Sequence, residues 1–164
     1  MMKTPVIDSD EYYGIKILKN GTWLYNGTVI NRHNLVKLFA SVLHKDEKGD
    51  YWLVTPYEKG RIEVEDVPFT AVELRVESSG KDQKLFFRTN LDDWLAAGKD
   101  HPLRVEIDAA TQEPSPYVMV RKGLEARIAR TVYYELVKLA VEAEKDKGVF
   151  GVWSDAEFYP IGEI

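Results

Sequence analysis

Four basic side chains near the start of the longest helix-like segment are the strongest candidates for chemistry. Arg121, Lys122, Arg127 and Arg130 surround the beginning of residues 124–145. A helix amino terminus carries partial positive charge and exposes backbone N–H groups, so a bound anion would relieve repulsion among these cations. A guanidinium can also hold phosphate through two parallel hydrogen bonds. The cluster therefore predicts an anion site, with Arg127 and Arg130 as its main ligands and Arg121 as a weaker one.

The same cluster is also typical of a structural network of ion pairs. Such networks crowd arginines together as readily as binding sites do, and we give this interpretation more weight. The acidic residues that would serve as partners are Glu63, Glu65, Asp66, Glu73 and Glu77.

Two residues elsewhere are weaker candidates for the same ligand. Arg32 stands at the start of an earlier helix-like segment, where it is either a second anion ligand or a solvated first-turn residue. Thr55 lies in residues 55–60, TPYEKG, which we interpret as a linker between two domains, with Pro56 ending a strand. A ligand between the domains would be within reach of Thr55.

No other pattern predicts catalytic residues, a metal or a cofactor. Asp92 and Asp93 fall in the first turn of a short predicted helix, where carboxylates complement the dipole. His33, His44 and His101 lack the spacing of zinc ligands. The chain has no cysteine, no Gly-rich phosphate loop and no Gly-x-Ser-x-Gly elbow.

Composition limits the classes of function. The 164 residues are 45% hydrophobic, enough to bury a core in one domain or two small ones. A net charge of −5 argues against general nucleic-acid binding. No apolar run approaches the length of a membrane span, so we expect a cytoplasmic protein. The sequence leaves the oligomeric state open.

Two long segments have helical spacing. Leu35, Val36, Leu38 and Phe39 begin a first amphipathic helix, for which Asn31 is the predicted N-cap. In residues 124–145 the apolar positions recur every fourth residue, which predicts a long second helix. These apolar residues are Leu124, Ile128, Val132 and Leu136.

The remaining elements are predicted as short strands and turns. Val72, Leu74 and Val76 alternate with charged residues, which predicts a strand with these three facing the core. Asn90 is the predicted cap of a short helix over residues 91–97. Residues 1–11 are polar and are expected to be loosely held.

The two helical segments share a local pattern. Ile30-x-Arg32 and Ile128-x-Arg130 are each preceded by a Gly-containing turn and followed, after the helix, by Lys-Gly and a Trp-containing strand. We interpret this agreement as a duplication. Two facing copies would leave a cleft between them, and such clefts often bind ligands.

Several stretches, in order from about Ile15 onward, resemble a bacterial family, the domain of unknown function family 1285. They include NGTWLYNGTVINRHNLVKLFASVL, GDYWLVTPYEKGRIEVEDVPFTAV, YVMVRKGLEARIARTVYYELV and GVWSDAEFYPIG. The resemblance implies a duplicated core, a second domain superficially like a pleckstrin-homology domain, a nucleotide-type ligand at the domain interface and a part in signalling. It implies no catalytic residues. The residues matching the family are Thr55, Pro56, Glu58, Lys59, Arg121, Arg127, Arg130, Trp153 and Ser154.

The sequence thus predicts an α+β fold of two repeated subdomains, residues 1–57 and 58–164. The leading hypothesis is a non-enzymatic ligand-binding or signalling module that holds an anionic or nucleotide-type molecule in the interdomain cleft. An enzyme acting on a phosphorylated or nucleotide metabolite and a protein-interaction scaffold are the alternatives. Arg130, Arg127, Arg121, Arg32 and Thr55 are the predicted ligand-binding residues.

Overall fold

The chain forms two compact units. The computed structural model describes residues 12–163, so the expectation for residues 1–11 lies outside the described part. The first unit runs to Pro68 and also includes Lys122–Leu124. The second comprises Phe69–Arg121 and Glu125 onward. Among the described residues, no helix is long and apolar enough to cross a bilayer.

The first unit is a six-stranded sheet with one helix, α1 (His33–Ser41). The strands are β1 (Tyr12–Ile17), β2 (Trp23–Tyr25), β3 (Thr28–Val29), β4 (Leu43–Lys45), β5 (Tyr51–Val54) and β6 (Lys59–Val64). Their order is β3-β2-β1-β6-β5-β4, antiparallel except for the parallel central pair β1 and β6. Trp23, which is 2% exposed, stacks on Phe39 of α1 with ring centroids 6.5 Å apart, so apolar packing joins the helix to the sheet.

The second unit contains a six-stranded sheet, a three-stranded sheet and helix α2 (Arg130–Val137). The first sheet has the order β10-β11-β12-β7-β8-β9, and the second the order β13-β14-β15. The strands are β7 (Phe69–Glu77), β8 (Lys84–Thr89), β9 (Trp94–Ala96), β10 (Leu103–Ile107), β11 (Pro114–Arg121), β12 (Leu124–Ile128), β13 (Val141–Glu142), β14 (Val149–Ser154) and β15 (Glu157–Glu163). Val132 and Leu136 of α2 are buried, as are Phe87 of β8 and Val152 of β14.

The predicted duplication is confirmed. In each unit one helix is followed by a three-stranded antiparallel meander: α1 by β4, β5 and β6, and α2 by β13, β14 and β15. Each meander has a left-handed glycine between its first two strands, Gly49 at φ 88° and Gly148 at φ 86°. Both glycines occupy a conformation that L side chains rarely adopt, which explains the repeated Lys-Gly.

The predicted long helix over residues 124–145 is wrong. Leu124, Ala126 and Ile128 are buried at every second position of β12, and the helix begins only at Arg130. Residues four apart lie on one face of a strand as well as of a helix, so the spacing of Leu124 and Ile128 fitted both structures. After Val137 the chain enters β13 rather than continuing as a helix.

The short helix predicted over residues 91–97 is also wrong. The Thr89 hydroxyl accepts hydrogen bonds from the N–H groups of Leu91 and Asp93 at 3.2 and 3.3 Å, and this turn leads into β9. The Asn90 side chain accepts from the Thr70 N–H at 3.0 Å instead of capping a helix. Asp92, with φ of 72°, pairs with Arg88 at 3.3 Å rather than complementing a dipole.

Three smaller expectations differ from the structure. A register shift between Ala71 and Glu73 leaves Val72 and Val76 exposed at 37% and 42%, so they do not face the core. Arg32, not Asn31, is the N-cap of α1, with no side-chain cap hydrogen bond. Residues 55–60, interpreted as a linker, form the turn of the β5–β6 hairpin and the start of β6, inside the first unit.

Candidate functional site

Arg127 and Arg130 line one cavity of about 360 Å³ in the second unit. Arg127 lies near the end of β12, and Arg130 is the first residue of α2. The short connection through Ile128 and Ala129 therefore places the two guanidinium groups at the same cavity. Pro114 and Pro116 of β11 form another part of its wall.

Helix α2 directs three side chains toward the cavity. Arg130, Tyr133 and Tyr134 are three and four residues apart, a spacing that puts them on one helix face. Arg130 is exposed and, among residues 12–163, forms no ion pair. No acidic residue or side-chain cap occupies the first turn of α2. Positive charge at this end of the helix therefore has no neutralising group on α2 itself.

Three of the acidic residues expected to neutralise the arginines pair with other cations. Glu63 and Glu65 lie 4.0 and 3.9 Å from the Lys16 ammonium. Glu73 pairs with Arg88 at 2.9 Å. Glu125 accepts two hydrogen bonds, at 2.7 and 2.8 Å, from the guanidinium of Arg104.

Arg127 is half-buried and its guanidinium lies 5.9 Å from the centre of the Tyr117 ring. Tyr117 is 3% exposed, so it provides a fixed aromatic surface beneath the cation. Arg127 therefore lies near a buried aromatic ring, at the outer limit of a cation–π contact.

Two further side chains determine the polarity of the cavity. Burial raises the pKa of Tyr133, so its phenol stays protonated at neutral pH and can donate a hydrogen bond. Its oxygen lies 3.5 Å from the Ile161 carbonyl, which is long for an O–H···O bond and leaves the hydroxyl able to turn to a ligand. Glu113 adds one carboxylate against two guanidinium groups, so the lining keeps a net positive charge.

The other predicted site residues lie elsewhere. Arg121 ends β11, with its guanidinium 5.7 Å from the Phe69 ring. Arg32 lines a separate cavity of about 420 Å³ in the first unit. The Thr55 hydroxyl accepts from the N–H groups of Tyr57 and Glu58 at 3.3 and 3.1 Å, so it serves the hairpin turn. Thr55 also lines an apolar cavity of about 440 Å³ in that unit.

The basic helix entry inferred from the sequence is therefore only partly right. Arg121 and Arg127 lie on strands and Lys122 on the turn between them, so helix-end repulsion acts on Arg130 alone. Sequence reasoning missed Glu113 and Tyr133 as lining residues. Tyr133 could have been identified, because it follows Arg130 by three residues and so lies on the same face of a helix. Nothing in the sequence indicated Glu113.

Comparisons with known proteins identify the family. The domain of unknown function DUF1285, N-terminal domain, matches residues 7–67, and the protein of unknown function DUF1285, C-terminal domain, matches residues 68–161. No curated protein matches the chain. Among the described residues, no group of three or more His, Asp or Glu side chains is placed to hold a metal ion.

Two crystal structures of DUF1285 family proteins are similar to this chain. A DUF1285 family protein from Silicibacter pomeroyi DSS-3 is 43% identical, with a TM-score of 0.87, over 98% of this chain and 84% of that one. One from Shewanella baltica OS155 is 28% identical, with a TM-score of 0.59, over 76% of this chain and 91% of that one. The two family models together span residues 7–161, and the chain belongs to the DUF1285 family.

Proposed function

We propose that this protein is a binding module for a small anionic molecule, held in the Arg127–Arg130 cavity of its C-terminal unit. The observation that supports the proposal is the pair of guanidinium groups at a cavity that contains one carboxylate. A phosphate or carboxylate group would accept charge-assisted hydrogen bonds from both arginines. A signalling role, in which the ligand's level is sensed, is the finer form of the proposal.

The dimensions of the cavity favour a phosphate-bearing fragment over a whole dinucleotide. At about 360 Å³ it lies near the lower end of the roughly 300–1,000 Å³ that is typical of small-molecule pockets. Tyr133 supplies a neutral donor, and Tyr134, 56% exposed, supplies an aromatic ring at the opening. A base or sugar attached to the phosphate would meet these rings.

A thermal-shift screen tests the proposal, with inorganic phosphate, nucleoside monophosphates and dinucleotides as probes. A ligand at about 100 times its Kd adds about 2.7 kcal/mol to folding stability. For a chain of this length the Tm should rise by about 5–11 °C. The rise should be lost in the double variant Arg127→Gln with Arg130→Gln, because the two glutamine side chains carry no positive charge to pair with an anion.

Two control variants make the screen specific. Arg75→Gln removes an arginine of the same unit that is 69% exposed and lies outside the cavity, so the Tm rise should persist. Arg32→Gln removes the repeat counterpart of Arg130 and should also leave the rise intact. The proposal fails if no anion raises the Tm, or if the rise survives in the double variant. Conversion of the bound compound, followed by phosphorus NMR, would make the cavity an active site instead.

A further inference from the structure

A second cavity of about 760 Å³ adjoins the Arg127–Arg130 cavity within the same unit. Pro114 and Tyr133 line both cavities, so a ligand of sufficient length can extend from one into the other. This larger cavity also lies within the roughly 300–1,000 Å³ typical of small-molecule sites. The two are here called the head cavity and the tail cavity.

Apolar side chains supply slightly more than half of the lining of the tail cavity. Val105 and Ile107 come from β10, Val149 from β14, and Pro160 and Ile161 from β15. β10 and β15 are edge strands of their sheets. Ile161 is buried, whereas Ile107 and Pro160 remain exposed. Ile107 is 48% exposed, so it is accessible to a ligand in this cavity.

The polar groups of the tail cavity determine which end of a ligand enters it. Gln112 is neutral, and Glu163 carries a negative charge. An anion is therefore disfavoured here and favoured in the head cavity, where Arg127 and Arg130 supply the positive charge. The two cavities thus differ in charge and meet at Pro114 and Tyr133.

We infer that the ligand is an anionic amphiphile, with a phosphate or carboxylate head in the head cavity and an alkyl or aryl tail in the tail cavity. The inference rests on the proposed function, since it assumes that Arg127 and Arg130 hold the anion. It adds that the tail, and not the head alone, provides affinity. Tyr133, at the junction, contacts the bond between head and tail.

Calorimetric titration with inorganic phosphate and with ethyl, butyl and hexyl phosphate below their aggregation concentrations tests the inference. The affinity should rise by about fourfold for each added methylene that is buried. Ile107→Asn should flatten this dependence on chain length while leaving the affinity for inorganic phosphate unchanged. Val76→Asn is the matched control, because Val76 is 42% exposed on β7 and lies outside both cavities, and it should keep the full dependence.

The outcomes separate the two proposals. Equal affinity for inorganic, ethyl and hexyl phosphate would overturn the amphiphile inference and leave the anion site intact. Hexyl phosphate binding that survives Arg127→Gln with Arg130→Gln would show an apolar site without an anion site, contradicting both. Absence of binding by every probe would also contradict both.

Discussion

Replacement of Ser154 by alanine should destabilise the second unit strongly, although the side chain loses a single oxygen. Ser154 is fully buried, and its hydroxyl accepts from the Leu85 N–H at 2.9 Å and donates to the Ala97 carbonyl at 2.7 Å. It thereby joins β14 to the strand β8 and to the residue that follows β9. Leu85 and Ala97 are themselves fully buried, so water cannot replace the hydroxyl.

The magnitude follows from those two bonds. A buried polar group left without a partner costs about 1–3 kcal/mol, so the two together should cost about 2–6 kcal/mol. The Tm should fall by at least about 4 °C, and urea unfolding followed by tryptophan fluorescence should give the free energy directly. Ser79→Ala is the control, because Ser79 is exposed and makes no side-chain cap hydrogen bond. A loss below about 0.5 kcal/mol for Ser154→Ala would refute the reasoning.

Two other substitutions test the packing and the electrostatics. Gly151→Ala should cost about 1–3 kcal/mol in a denaturant titration, because its Cβ would lie 2.3 Å from the Tyr159 carbonyl oxygen. Gly162→Ala meets no atom within 4 Å and should be tolerated, so equal losses would contradict the steric argument. The hydrogen bond from Arg88 lowers the pKa of the Glu73 carboxyl below its ordinary value. This pair therefore stabilises the fold at neutral pH, and the stabilisation is lost as the pH falls and Glu73 becomes protonated. The stability difference between wild type and Glu73→Gln should shrink on acidification to about pH 3, and a difference independent of pH would disprove the pairing.

The Ser154 contacts also change how a sequence motif is interpreted. The Trp153-Ser154 pair is among the residues that match the family. The Ser154 hydroxyl is hydrogen-bonded to two backbone groups, one as acceptor and one as donor. The Trp153 carbonyl accepts a hydrogen bond from the Gln83 side chain at 2.9 Å. These contacts give the pair a structural role, and they are long-range, so no local pattern could reveal them.

What the sequence predicted well was local or repeated. Pro56 was predicted to end a strand, and β5 does end at Val54, two residues before it. The helix beginning near Leu35 was predicted because its apolar positions fit a helix and no strand. The duplication was visible because turn, arginine and tryptophan recur in the same order.

Two kinds of feature could not be predicted from the sequence. One is an element whose apolar spacing fits both a helix and a strand, and the other is a feature set by pairing between strands that are distant in the chain. Leu124 and Ile128 are four residues apart in a strand, and β12 pairs with β7 through residues such as Ala126 and Phe69 that are far apart in the chain. The bulge after Ala71 likewise belongs to the pairing of β7 with β8. The pair Arg127 and Arg130 was selected on the basis of a helix that does not contain Arg127, so the candidate site was found by partly incorrect reasoning.

The duplication explains why the two units offer different chemistry at corresponding places. Leu35 lines both cavities of the first unit that adjoin α1, as Tyr133 lines both the head and the tail cavity of the second. In the repeat pattern Arg32 corresponds to Arg130.

The two copies differ at the preceding strand. Val29 stands immediately before Ile30, whereas Arg127 stands immediately before Ile128. The first unit therefore presents one guanidinium beside an apolar cavity, and the second presents two. Two neighbouring guanidinium groups can donate more hydrogen bonds to one anion than a single exposed arginine can, so Arg127 is the residue that makes the C-terminal copy the better candidate for an anion site. We therefore place the proposed ligand in that copy, although each copy has a further cavity that shares a helix residue with the first.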